Sequence, residues 1–147
     1  MTARWRVRVF EPADEQAVVA LWHACGLVRP WNDPHKDIAR KRDFQPELFL
    51  VGVLDIDGRE VLVATAMAGY DGHRGSVYYL AISPEHQRAS LGRALMDEIE
   101  RRLCALGCPK INILVRTGNA QVLHFYEKLG YTRDDAYSIG KRLISDL

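Results

Sequence analysis

The sequence predicts an α/β fold in a single domain, and three observations carry that prediction. Apolar residues alternate between periods of about 2 and 3.6 in the order β-α-α-β-β-β-α-β-α-β-β, which implies one mixed sheet of about seven strands flanked by about four helices. Asp57-Gly58 lies between two apolar runs and is a specific hairpin signal. An apolar strand ending at Ile82 runs through a turn of small residues into a helix whose apolar positions are Leu91, Leu95, Ile99, Leu103 and Leu106. With 147 residues, 48% of them apolar, there is room for one domain with its own core. No repeat, low-complexity run or linker interrupts it, so the domain is taken to span residues 1–147.

Each element has a local reason. Residues 4–10 alternate as a first strand. Residues 14–25 place Val18, Leu21, Trp22 and Cys25 on one helical face, with Gly26 just past the end. Asp33 is an N-cap and Pro34 the first helical residue of a second, more polar helix that reaches about Arg42. Residues 48–56 and 60–70 are the two arms of the hairpin, and Asp71-Gly72-His73-Arg74-Gly75 turns the chain into a strand over 76–82. A helix from about Ser90 stops at Gly107. Residues 110–115 form a short strand and 119–129 a helix closed by Gly130, and strands over 131–133 and 137–143 complete the sheet.

Composition narrows the function classes. A formal net charge of +1 gives no reason to expect nucleic acid as a partner. No apolar run approaches the ~20 residues of a membrane helix, and the alternating N-terminus lacks a signal core, so a cytoplasmic protein with no membrane partner is expected. Cys25, Cys104 and Cys108 are an odd number with no second ligand pair, which predicts small buried thiols and no metal site.

The turn after Ile82 is a ready anion site. The first amides of a helix lack intrahelical partners and the helix dipole favours negative charge there, while small residues allow close approach to the backbone. Its residues, Gln87-Arg88-Ala89-Ser90-Leu91-Gly92, resemble the acyl-CoA signature Gln/Arg-x-x-Gly-x-Gly/Ala of the GNAT family of N-acetyltransferases, with Ser90 where a glycine is usual. Asn119-Ala120-Gln121-Val122-Leu123-His124-Phe125-Tyr126-Glu127-Lys128-Leu129-Gly130-Tyr131 resembles the same family's C-terminal motif at nearly every position. The element order is similar from end to end. Arg29 to Pro34, the Gly69 to Gly75 turn and Gly140 to Ile144 look like the small bacterial YpeA-like subgroup.

The resemblance implies acetyl-CoA as co-substrate and a primary amine of a small molecule, peptide or protein as acceptor, with direct attack in a ternary complex. It implies that two adjacent parallel strands splay, so that backbone groups of Leu80, Ala81 and Ile82 hold the pantetheine arm and one amide polarises the thioester. The pyrophosphate would sit on Gln87, Arg88, Ala89, Ser90, Leu91, Gly92 and Arg93, with the Ser90 hydroxyl capping the helix. Asn119 is expected at the pantetheine arm, and equally as an ordinary N-cap. Tyr126 is the catalytic candidate, a phenol of ordinary pKa about 10 placed to donate to the departing thiolate, although it also lies on an apolar helix face. No general base is assignable: Leu114 stands where one branch of the family has glutamate, and Asp71, His73, Glu85 and His86 read as solvated turn residues. The acceptor side is expected at Arg29, Trp31, Asn32 and Asp33 with Asp71 and His73 nearby; the competing view is a rigid helix entry with Trp31 packed over the core. The departures at Ser90 and Leu114 keep a non-catalytic acyl-CoA-binding module as the alternative. Exposed strand edges leave a homodimer open.

Overall fold

Nine elements follow one another in a computed structural model that describes residues 3–87 and 90–147: β1 (Arg4–Val9), α1 (Glu15–Ala24), α2 (Pro34–Lys41), β2 (Phe49–Ile56), β3 (Arg59–Tyr70), β4 (Gly75–Ile82), α3 (Leu91–Ala105), β5 (Ile111–Asn112) and α4 (Ala120–Lys128). The strands form one sheet in sequence order. β1 to β4 pair antiparallel, and β5 joins β4 in parallel after the α3 crossover.

Both faces of the sheet are covered, which is why β2 is apolar without interruption from Phe49 to Leu54. On one face Val18 and Trp22 of α1 and Ile38 of α2 pack on Phe49, Val51 and Val53. On the other, Leu95, Met96, Ile99 and Leu103 of α3 and Tyr126 of α4 pack on Leu50, Leu54 and Ala66. Burying such side chains contributes about 1.5–3 kcal/mol each and holds the helices to their faces. The helix starts follow the sequence: Asp33 Oδ1 accepts from the amides of His35 and Lys36 with Pro34 at the first position, and Asn119 Oδ1 accepts from the Val122 amide at 3.2 Å.

The expected seven strands reduce to five. Residues 131–133 and 137–143 form no strand, because alternation supplies only propensity and a strand exists only where an edge accepts it. Tyr131 is held by the α4 end instead: its amide donates to the Tyr126 carbonyl and its hydroxyl to Glu100 at 2.7 Å. Beyond it the chain runs out into solvent, with Tyr137 and Ile139 99% and 93% exposed. It returns at Arg142, which donates to Asn32 Oδ1, and at Asp146, whose buried carboxylate meets Arg40 and the Asp33 amide at the start of α2. The strand expected over 110–115 shortens to Ile111–Asn112, since β4 and the following chain part company there.

Candidate active site

β4 and β5 share only two residue pairs, Gly75 with Ile111 and Ser76 with Asn112. Past them the two chains diverge and a cavity of about 510 Å³ opens between them. One wall is Val77 to Leu80 of β4, the facing wall is Ile113 to Arg116, and α4 closes one side through Asn119, Val122 and Tyr126. The splay expected of two parallel strands is therefore present.

The β4 wall owes its shape to a bulge. The register with β3 shifts between Thr65 and Met67, and Tyr79 takes φ +54°, a left-handed conformation that costs a non-glycine residue about 1–2 kcal/mol. Three contacts hold it. The Tyr79 ring stacks on Trp22 with centroids 3.8 Å apart, Thr65 Oγ1 donates to the Tyr79 carbonyl at 2.9 Å, and Trp22 Nε1 donates to Thr65 Oγ1 at 2.8 Å. At its far end the Tyr79 hydroxyl donates to Asp37 Oδ2 at 2.6 Å. Burial, together with the Asp37 carboxylate, pushes the Tyr79 phenol well above its ordinary pKa. Leu80 lines the cavity on this bulge, whereas Ala81 and Ile82 are paired with Thr65 and Ala64 of β3. The Ile82 carbonyl accepts from the Cys25 thiol at 3.2 Å and from Gln87 Nε2 at 3.1 Å.

Tyr126 is at once a core residue and a residue of the cavity lining. Its ring is edge-on to Phe125 and Tyr131 at 5.1 and 5.6 Å. Its hydroxyl has no hydrogen-bond partner among the described residues, and burial raises the pKa of the phenol, which is therefore protonated at neutral pH.

Of the residues expected on the acceptor side, Arg29 and Asn32 line the cavity. Trp31 does not line it; half exposed, it lies beneath Arg116, whose guanidinium carbon is 5.5 Å from the ring centroid. Asp33 is spent on capping α2 and on its amide's bond to Asp146. Asp71 and His73 are not at the cavity. They lie in the turn before Gly75, at the end where β4 and β5 are still paired, and Asp71 Oδ1 accepts from the amides of His73 and Arg74 at 2.8 Å. Those two bonds lower its pKa and make the carboxylate a turn anchor.

At the expected pyrophosphate turn, Arg88 and Ala89 lie outside the described residues. Ser90 precedes α3 with φ +60° and makes no side-chain cap hydrogen bond, contrary to the expectation that its hydroxyl caps the helix: a left-handed N-cap aims the side chain away from the amides. Among the described residues Ala94 is the first of this helix to bond back, to the Ser90 carbonyl, and the amides of Leu91, Gly92 and Arg93 meet no acceptor there. Leu91 and Gly92 are buried and Arg93 exposed. Gly92 has a packing reason: a Cβ there would come within 3.0 Å of Phe125 Cζ.

Several cavity residues with chemistry of their own escaped the sequence reading. Asp37, Tyr79 and Arg116 follow no motif spacing, and Cys25 reads only as an apolar helix position. The paired tyrosines Tyr78-Tyr79 within a strand were the one available signal. Among the described residues no group of three His, Cys, Asp or Glu side chains is disposed to hold a metal, and no helix is long and apolar enough to cross a membrane.

Comparison with known proteins agrees with this geometry. A family model described as the acetyltransferase (GNAT) family matches residues 16–131. The protein named acetyltransferase YE1169 of Yersinia enterocolitica is 48% identical over 140 residues, 95% of this chain and 96% of its own. Among solved structures, Ard1 from Thermoplasma volcanium superimposes with a TM-score of 0.71 at 22% identity, over 87% of this chain and 82% of that one. AAC(6')-Iy in complex with the bisubstrate analogue CoA-S-monomethyl-acetylneamine gives 0.71 at 12% identity, over 96% and 99% of the two chains.

Proposed function

The chain belongs to the acetyltransferase (GNAT) family and is an acyltransferase enzyme, and from that premise we propose that it moves an acetyl group from acetyl-CoA to a primary amine of a small molecule, peptide or protein by direct attack in a ternary complex. The observation that carries this is the cavity itself, where the part of β4 freed of its β5 partner and Tyr126 of α4 line one space of about 510 Å³. The freed backbone of Leu80 pairs with the pantetheine arm and polarises the thioester carbonyl, in the manner of an oxyanion site. The phosphates take the amides of Leu91, Gly92 and Arg93.

In the reaction the neutral amine nitrogen attacks the carbonyl carbon, the C–S bond breaks, and sulfur leaves with the electron pair. The amine proton departs through water. Asp37 orients and does not abstract, since its two carboxylate oxygens are engaged by Tyr79 and Arg40. A phenol is a weaker acid than a thiol by about 1.5 pKa units, so complete proton transfer to a solvated thiolate is uphill by about 2 kcal/mol, and burial of Tyr126 adds to this. Tyr126 therefore acts by donating a hydrogen bond to sulfur as charge develops, with water completing the protonation. An amine of pKa near 8 supplies far more free base at neutral pH than a lysine side chain, of which about one part in a thousand is neutral.

The assembly we propose is a homodimer. Tyr137, Ile139 and Leu143 alternate along a nearly fully exposed segment, and the outer edge of β5 has no strand partner among the described residues. A second copy supplies each with the other: the tail of one chain lies on the β5 edge of its partner.

Acetyl-CoA incubated with a panel of amines, amino acids and peptides tests the activity through release of the CoA thiol. Amine-dependent release is expected; release that no member of the panel accelerates over hydrolysis overturns the proposal.

A further inference from the structure

Two arginines on the cavity wall meet no carboxylate among the described residues. Arg29 comes from the connection between α1 and α2, and Arg116 from the chain that follows β5. They are the two arginines of the cavity lining. Arg116 is also held in place: its guanidinium lies over the face of Trp31, two residues beyond Arg29, in cation–π geometry. Trp31 thus ties the two walls that carry the charges. The one carboxylate on the lining, Asp37, is already bonded to Tyr79 and Arg40 and is not free to neutralise either guanidinium.

Guanidinium is a planar fork of donors shaped for a carboxylate or phosphate, and such charge-assisted pairs are about twice as strong as neutral ones. Much of the remaining lining is apolar, Leu27, Met67, Val77, Leu80 and Ile113 among it. A pocket of this kind favours a ligand with a small number of polar groups placed against its fixed charges. We infer that the acceptor is an amine that also carries an anionic group, a carboxylate or a phosphate, held by Arg29 and Arg116 while its amine end lies at the β4 bulge. This rests on the acetyl-transfer reading for the amine end only; the anion site follows from the arginines. Trp31, by this account, is a positioning residue for Arg116.

The test uses the full chain saturated with CoA and titrated calorimetrically with matched ligands: a set of L-amino acids against their C-terminal amides, and phosphoethanolamine against ethanolamine. The anionic member of at least one pair is expected to bind about tenfold or more tightly, and the pair that discriminates identifies carboxylate or phosphate. Arg29→Gln and Arg116→Gln should each abolish that discrimination and leave acetyl-CoA affinity within about twofold. Trp31→Ala should weaken it and leave the neutral member's affinity unchanged. Equal affinity within every pair, no binding by any member, or arginine variants that lose acetyl-CoA affinity instead overturn the inference. Thiol release separates it from the reading it rests on. Charge-selective binding without release removes acetyl transfer and keeps the anion site; equally efficient release by both members of every pair does the reverse.

Discussion

The hydroxyl of Tyr79 donates to the carboxylate of Asp37 at 2.6 Å, joining the bulged strand β4 to helix α2 at the cavity wall. Because Tyr79 is held at a positive φ by Trp22 and Thr65, this bond is the outer end of a chain of contacts that starts in the core. The position of α2, and with it one side of the cavity, is coupled to the bulge that shapes the opposite wall.

Tyr79→Phe should therefore destabilise the fold and loosen the α2 side of the cavity together. A hydrogen bond to a charged group contributes about 1.5–3 kcal/mol, and the lower end applies because Asp37 keeps Arg40. The melting temperature is expected to fall by about 3–6 °C. An unchanged melting temperature would show that water replaces the phenol without loss.

Tyr126→Phe keeps the ring that packs against Phe125 and Tyr131 and removes only the hydroxyl. Loss of a hydrogen bond to developing thiolate charge should lower turnover by about 10²-fold, the lower end of general-acid effects, with acetyl-CoA affinity within a few-fold. Pre-steady-state thiol release at saturating acceptor measures it. Wild-type rates in a chemistry-limited step would make Tyr126 a core residue alone.

At the start of α3, two neighbouring substitutions should act in opposite directions. Ser90→Gly relieves a left-handed backbone at a position where the serine makes no cap, and should raise stability by about 0.5–1 kcal/mol after the added flexibility of the unfolded chain. Gly92→Ala brings a Cβ against Phe125 and displaces α4. The overpacking cost of about 1–3 kcal/mol exceeds the roughly 1 kcal/mol gained in helix propensity. Chemical denaturation of both variants decides; a stabilised Gly92→Ala would remove packing as the reason for glycine there.

Acid should release the C-terminal tail. The Arg40 guanidinium, with the Asp33 amide, holds the Asp146 carboxyl at about 2, below its ordinary 3.8. A depressed carboxyl pKa adds stability above the ordinary value, and that contribution is lost as pH falls from about 4 towards 2. Hydrogen exchange at the Asp33 amide, which donates to Asp146 Oδ2 at 2.8 Å, corrected for intrinsic rate, should show protection at pH 6 that disappears across this window, and in Asp146→Asn it should be weak throughout. Protection that persists at pH 2 would mean that the ion pair does not hold the tail.

The exposed tail makes the dimer testable in solution. Light scattering should give twice the chain mass for the wild type and the single-chain mass for Ile139→Lys, with far-ultraviolet dichroism unchanged. A monomeric wild type rules the exchange of tails out.

Local sequence determined most of the architecture. Asp57-Gly58, the Asp33-Pro34 cap and the 3.6-residue pattern of α3 each specify an element through backbone geometry or periodic burial within a few residues, so the hairpin and helices stand where the chain announces them. Asn119 as an N-cap and Tyr126 on an apolar helix face were legible for the same reason, while their place beside a cavity was implied by the resemblance of the motif from Asn119 to Tyr131 to the family's. Tertiary structure decided what depends on partners far along the chain. Residues 137–143 alternate like a strand, yet no edge receives them. Lys110 to Val115 carries strand residues, yet β4 leaves it after two pairs. The cavity's charges belong to the same class: Arg29, Asp37, Tyr79 and Arg116 are spread over 88 positions of sequence and share no spacing, and only the divergence of two strands and the stacking of Arg116 on Trp31 bring them to one wall. Pairing and burial between distant segments are properties of the folded whole, and a local pattern states only the capacity for them.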